Sequence, residues 1–235
     1  IEIASRINKI SRSAYVDLPI NQYESARIAG DEFVIAIDGL LSAKRLEVLT
    51  DTLLTEINKP MLIENIKITP QASIGVSILG NRCRDANALV NEADHAMFEA
   101  KKRGKNQIVL FNDELAKQIN QRSAIINALK GAISNNEFTL NFMPIWEKKA
   151  TRIAGAEVLI RTKNKLLQSV GPDKYIPLAE ENNLISPIDL WVIEESFKYL
   201  TCIIKDFPDR KFVIAINISG LELTNSKFPS QVKSL

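Results

Sequence analysis

Apolar residues recur at two different periods along the first third of the chain, and each change of period marks a new element. Ile3, Ile7 and Ile10 fall three and four residues apart, the spacing of one helix face, with no capping residue ahead of them. A helix is therefore expected at the opening, and the start is expected to lie inside a domain. A polar connection from Ser11 to Ser25 is expected next. Residues 26–37 then alternate: Arg27 and Ile28 lead into Gly30, and Phe33, Ile35 and Ile37 share one face by period-two spacing. That pattern predicts a β-hairpin with Asp31 and Glu32 at its tip, Gly30 supplying the backbone freedom of a tight turn.

Further on, Leu46, Leu49, Leu53 and Ile57 predict an amphipathic helix stopped before Pro60, and alternation predicts strands from Met61 to Thr69 and Ala72 to Leu79. Asp85 is placed to cap another helix, whose apolar face includes Leu89, Ala93, Met97 and Ala100. Lys101, Lys102 and Arg103 fall in its last turn, where cations complement the helix dipole, and Gly104 is the stop. A strand from Gln107 to Phe111 follows. Asn112 or Asp113 caps a long helix to about Ser134, with Leu115, Ile119, Ile126, Leu129 and Ile133 on one side. That stripe suits either a semi-rigid strut between domains or core packing under the second domain.

The second half is patterned differently. Phe138 to Trp146 and Ile153 to Ile160 read as a hairpin joined by the polar turn Glu147 to Thr151. After a loop come a short helix around Tyr175 to Glu181 and a longer one from Pro187. There Ser186 and Asp189 have capping-box spacing, and Trp191, Phe197 and Leu200 are expected to face inward. The run Phe212-Val213-Ile214-Ala215-Ile216, within Lys211 to Ile218, suits a strand buried on both faces, as in a parallel sheet or barrel.

Bulk properties narrow the classes. Of 235 residues 46% are hydrophobic, enough for a real core, and length alone allows one domain or two. Thirty basic against 28 acidic residues leave a net charge of +2, which gives no electrostatic case for DNA, RNA or membrane binding. No apolar run reaches a membrane span and the amino end lacks signal-peptide features, so the chain reads as soluble and cytoplasmic. Cys83 and Cys202 lack metal-type spacing and read as buried or free thiols, while His95, without a second histidine, reads as structural or exposed.

Carboxylates side by side at a hairpin tip suit either an ordinary solvated turn, for which Gly and Asp are good formers, or a hard cation that carries a nucleotide phosphate. Ala29-Gly30-Asp31-Glu32-Phe33, with Ala93 to Asn106 further on, resembles the GGDEF family of diguanylate cyclases, which condense two GTP into cyclic di-GMP. The resemblance implies that Asp31 and Glu32 are catalytic metal ligands. It further implies that Gly30 lies against the substrate, and that Lys101 and Lys105 bind the GTP triphosphate. Ala29 stands where the family has glycine and Lys105 where it usually has arginine. Feedback-inhibited members carry an Arg-x-x-Asp pair at positions aligned with Ile20 and Tyr23, so the inhibitory product site is expected to be missing.

Glu157, expected near the end of one strand, and Asn217, at the end of the next, are able to converge as oxygen ligands on the carboxyl-end face of a β/α barrel. Glu157-Val158-Leu159-Ile160-Arg161, with Tyr175 to Ile185 and Asn217-Ile218-Ser219, resembles the EAL family of cyclic di-GMP phosphodiesterases, β/α barrels with two divalent metals. By that match Glu157 is catalytic and a metal ligand, Asn217 is a metal ligand, and Leu159 and Arg161 contact the dinucleotide. Met143 replaces the usual ligand-binding glutamine.

The expected fold class is α/β: part of a GGDEF-like α/β sandwich, then part of an EAL-type TIM-like β/α barrel. The expected divisions are 1–112 for the rear of the first domain, 113–134 for a connecting helix and 135–235 for the front of the second. A barrel takes about 250 residues, so later ligands and the catalytic lysine and glutamate are expected beyond Leu235. The implied cofactor is Mg²⁺ or Mn²⁺, the implied ligands are GTP and cyclic di-GMP, and a homodimer stays open. The implied function is bacterial cyclic di-GMP signalling by synthesis, hydrolysis or both. A receptor or scaffold that binds these nucleotides without turnover is the alternative.

Overall fold

The computed structural model describes residues 2–17, 20–39, 42–80, 85–148 and 152–235, with the side chains of 11–17 and 20–22 outside the description. Cys83 and part of the expected turn at 147–151 also lie outside it. Two compact units divide at Ala116/Lys117.

In the first unit α1 (Glu2–Asp17) leads to β1 (Ile20–Ala29) and β2 (Glu32–Gly39), an antiparallel hairpin. The expected polar connection from Ser11 to Ser25 is instead helix as far as Asp17 and strand from Ile20. The polar stretch before Ser25 hydrogen-bonds through its backbone to β2, and pairing of that kind requires no apolar side chain. One face of β2 packs Ile35 and Ile37 against buried Ile10, Leu49 and Leu53 of α1 and α2 (Ala43–Ile57). Ser42 caps α2, its hydroxyl accepting from the Arg45 amide.

The expected strand from Met61 to Thr69 is instead the hairpin β3 (Met61–Ile63) and β4 (Ile66–Ile68). Glu64 and Asn65 both take positive φ, 48° and 66°, and reverse the chain. Only Ile74–Val76 of the next expected strand forms β5, parallel to β6 (Ile108–Leu110). Between them runs α3 (Ala86–Lys102), which Asp85 caps through the Ala88 amide at 2.8 Å. Ala96 and Ala100 are its buried residues, with Leu89, Ala93 and Met97 half-buried beside them. Gly75 lets β5 approach the backbone of α3: a Cβ there would lie 2.0 Å from the Ala93 carbonyl oxygen.

Asn112 caps α4 (Asp113–Ser134), accepting from the Leu115 amide. Ile125, Leu129 and Ala132 of this helix are buried in the core of the second unit, which is the core-packing reading of its stripe. That core lies under a three-stranded sheet of order β7 (Phe138–Trp146), β8 (Ile153–Thr162), β9 (Val213–Ile216). β7 runs antiparallel and β9 parallel to β8. The crossover carries α5 (Lys165–Val170), α6 (Pro172–Glu181) and α7 (Ile185–Asp206). The expected loop before α6 thus holds a helix, which Asn164 caps through the Leu166 and Leu167 amides. Beyond β9 are a single turn of 3₁₀ helix (Gly220–Thr224) and α8 (Phe228–Lys233).

Alternation divides the sheet between two environments. Phe138, Leu140, Phe142, Val158, Ile160, Ile214 and Ile216 pack on the helices. The opposite face carries Asn141, Met143, Glu157, Leu159 and Arg161. This corrects the reading of 212–216 as buried on both faces: Ile214 and Ile216 are half-buried whereas Val213 is 63% exposed. Among the described residues the helices pack against one side of this sheet. Trp191 does pack inward, but Phe197 is exposed, because the buried stripe of α7 runs through Ile188, Val192, Ile193 and Ser196.

Candidate functional site

In the first unit the turn between β1 and β2 is Gly30-Asp31, and Glu32 begins β2. Gly30 has φ +50°, in the region glycine favours, and no atom lies within 4 Å of where its Cβ would stand. Arg27 steadies the turn from the side, its Nε donating to the Gly30 carbonyl at 2.7 Å. Asp31 and Glu32 are both exposed. The structure holds Lys101 and Lys105 at a different place, the end of α3. There the Lys105 amide bonds back to the Ala100 carbonyl at 3.0 Å with Gly104 at φ +114°, which closes the helix. Neighbouring cations have local partners: Arg103 pairs with Glu99 at 2.8 Å and Lys102 lies over the Phe98 ring. Among the described residues no ion pair joins Lys101 or Lys105 to Asp31 or Glu32.

In the second unit Glu157, Leu159 and Arg161 point to the open face of β8, with Met143, Asn141 and Thr139 their respective partners across on β7. Glu157 is the fifth of ten strand residues rather than near the strand's end, because Arg161 and Thr162 continue the pairing. Asn217 follows β9 directly. Its Nδ2 donates to Glu157 Oε1 at 2.8 Å, so the two expected oxygen ligands do converge. Arg161 is exposed and folds its Nη1 back onto the Ile160 carbonyl. A cavity of about 320 Å³ at these strand ends is lined by Leu159, Arg161 and Asn217, and by Glu180, Asp189 and Ser219.

The last three residues form a support that sequence reasoning missed. The spacing pairs Asp189 with Ser186 as a capping box, but the residue ahead of α7 is Leu184 and no side chain caps that end. Asp189 turns inward instead. It is 5% exposed, and its Oδ2 accepts from the Ser219 backbone N–H at 3.0 Å, while the Ser219 hydroxyl donates to Glu180 at 2.6 Å. The loop that carries Asn217 is therefore tied to α6 and α7. Burial raises the Asp189 carboxyl to about 6 against the downward pull of the Ser219 N–H, with Glu222 and Glu180 adding to the rise. Nearby Tyr175 is buried, its hydroxyl has no partner among the described residues, and burial pushes it up to about 12.

The donor chemistry at both places fits a hard divalent cation. Mg²⁺ is commonly held by one or two carboxylates, with water and substrate phosphate filling its other positions. Glu157 with Asn217, and Asp31 with Glu32, are partial sets of that kind. Among the described residues no group of three or more His, Cys, Asp or Glu side chains gathers as a complete cage.

His95 is exposed on α3, and Cys202 is an exposed free thiol. Among the described residues no helix is long and apolar enough to cross a membrane.

The two compact units, each mixing helices and strands, form two α/β folds in tandem. Residues 2–107 match the family model for the diguanylate cyclase GGDEF domain and residues 126–235 match that for the EAL domain. The chain belongs to the tandem GGDEF–EAL proteins, with the α/β fold followed by a TIM-like one. It is 33% identical over 211 residues to the biofilm architecture maintenance protein MbaA of Vibrio cholerae, covering 86% of this chain and 26% of the relative. It is 26% identical over 234 residues to MucR, a bifunctional diguanylate cyclase/cyclic di-GMP phosphodiesterase of Pseudomonas aeruginosa, covering 100% and 33%. A solved structure of the EAL enzyme Bd1971, bound to cAMP and cyclic di-GMP, aligns with a TM-score of 0.47 at 22% identity, over 65% of this chain and 40% of that one. The chain thus spans about a quarter to a third of the length of these curated relatives.

Proposed function

We propose that the complete protein works in cyclic di-GMP signalling, its second unit hydrolysing cyclic di-GMP and its first condensing GTP to make it. The observation that supports this most is the 2.8 Å contact of Asn217 with Glu157 on the face that also presents Leu159 and Arg161. In this reading Glu157 and Asn217 hold a divalent cation, Mg²⁺ or Mn²⁺, as do Asp31 and Glu32. Bound there, a divalent cation supplies charge neutralisation for phosphate oxygens and, in the second unit, a water acidic enough to attack at neutral pH. Arg161 offers a planar guanidinium able to grip phosphate with two parallel hydrogen bonds. Leu159 provides the apolar floor between those charges. In the first unit the open space over Gly30 admits a nucleotide close to the backbone, and Lys101 and Lys105 neutralise the triphosphate. With Ile20 and Tyr23 in place of a charged pair, synthesis escapes inhibition by product at the remote site.

One observation favours the receptor reading: Met143 stands directly across from Glu157, and its thioether lacks an amide's donors. The two readings separate when the complete protein is incubated with Mg²⁺ or Mn²⁺ and either GTP or cyclic di-GMP, and the nucleotides are resolved by chromatography. The proposal expects cyclic di-GMP from the first and a linear dinucleotide from the second. Binding of both without either product makes the protein a receptor.

A further inference from the structure

We infer that Asn141 is a ligand-binding residue of the second unit, its carboxamide donating to a phosphate oxygen of the cyclic dinucleotide. The inference rests on the reading of that unit as a cyclic di-GMP site and adds a contact that neither family resemblance nor sequence pattern assigns.

The direction of β7 places Asn141 beside the carboxyl half of β8. Because β7 is antiparallel to β8, its amino-terminal half lies beside the carboxyl half of β8, where Leu159 and Arg161 stand. Met143 pairs with Glu157 and Asn141 pairs with Leu159, one pleat further toward the rim. Asn141 therefore has Glu157 and Arg161 as its two diagonal neighbours on β8. Such diagonals are about 7–8 Å apart, and direct partners closer. A phosphate that reaches from a Glu157-held cation to the Arg161 guanidinium must pass over the pair Leu159 and Asn141. Leu159 has nothing to donate, whereas Asn141 has two N–H groups and one acceptor oxygen.

Three further observations agree. Asn141 is exposed, whereas its strand neighbours Leu140 and Phe142 turn to the helices and pack there. Its carboxamide has no hydrogen-bond partner among the described residues. Phe138 and Phe142 hold the strand from behind, against Trp191 and Tyr199 of α7, with ring centroids 5.8 and 5.0 Å apart. A polar amide with no internal partner is thus held on a rigid strand, in the one gap between the proposed cation ligand and the proposed phosphate arginine. Asn141 would also supply the amide chemistry that Met143 lacks, from a position nearer the rim.

The test is an equilibrium titration of cyclic di-GMP into the complete protein, with the metal chelated to stop turnover and again with Mg²⁺. Wild type, Asn141→Ala and Asn141→Asp are compared, with melting temperature as the control on folding. An exposed open-face residue is expected to leave that temperature unchanged. A hydrogen bond to a charged group sets the expected loss for Asn141→Ala at about tenfold in affinity or more. Asn141→Asp is expected to bind more weakly still, because a carboxylate repels the phosphate. A smaller loss for Asn141→Ala removes Asn141 from the site. An Asn141→Asp variant that equals or exceeds Asn141→Ala overturns the phosphate contact. A wild type that binds no cyclic di-GMP in either condition fails the functional reading itself, and the inference with it.

Discussion

Asp189 links the chemistry of the second unit to its stability, and replacing it with asparagine isolates the charge. The wild-type carboxyl has a folded-state pKa of about 6 against an ordinary 3.8, because it is buried and faces Glu180 and Glu222. Folding therefore favours its protonated form. The associated stability is complete below about pH 4 and is lost as pH rises through 6, where a buried charge must be carried. A gap of about two pKa units corresponds to about 3 kcal/mol. An asparagine side chain is a neutral near-isostere that keeps an acceptor for the Ser219 N–H, so Asp189→Asn should not follow that slope. The assay is urea unfolding from about pH 3.5 to 8, a window that brackets both pKa values, followed by tryptophan fluorescence. Both tryptophans, Trp146 and Trp191, lie in the second unit, so the signal reports that unit alone. The variant should gain about 3 kcal/mol relative to wild type between about pH 4 and 7. Two stability curves that stay parallel across this window would refute the assignment of a raised, buried carboxyl.

Arg6 donates to the carbonyls of Glu56, Ile57, Lys59 and Pro60 at and past the end of α2. Arg6→Ala should lower the protection of the last α2 amides in hydrogen exchange by about 2–3 kcal/mol, and Arg6→Lys should recover less than half, since a point charge cannot span four carbonyls. Gly75→Ala drives a methyl to 2.0 Å from the Ala93 carbonyl and 2.2 Å from the Met97 amide. It should cost the first unit about 3 kcal/mol, read as faster limited proteolysis before Ala116 while tryptophan fluorescence holds steady. Glu32→Gln should end formation of cyclic di-GMP from GTP in the complete protein and leave hydrolysis by the second unit unchanged, both read by chromatography.

The legible part of the fold was the part set by local pattern. Alternation around Gly30 located the hairpin and its two carboxylates, and Asp85, Asn112 and the apolar run at 212–216 announced a cap, a helix start and a strand. Long-range geometry was less visible. Asp189 offers the same side chain to a capping box or to a buried amide, and only the fold brings Ser219, thirty residues away, to it. Glu64-Asn65 gave little sign of its two positive φ values, because glutamate is an uncommon turn residue there. The run at 212–216 looked doubly buried because apolar residues fill both of its faces, yet Ile214 and Ile216 pack on the helices while Val213 is exposed. No motif marks Asn141, and only the antiparallel register sets it between Glu157 and Arg161.

The central claim is that Glu157 and Asn217 form a cation-dependent site for cyclic di-GMP hydrolysis. Its most direct test is the rate at which the complete protein converts cyclic di-GMP to the linear dinucleotide in Mg²⁺ or Mn²⁺, for wild type and for Glu157→Ala at matched folding. Wild type should give product, with none after chelation and none from Glu157→Ala with either metal. Turnover by Glu157→Ala at the wild-type rate, or a wild type that binds the ligand and never cleaves it, would show that Glu157 and Asn217 do not form a hydrolytic site.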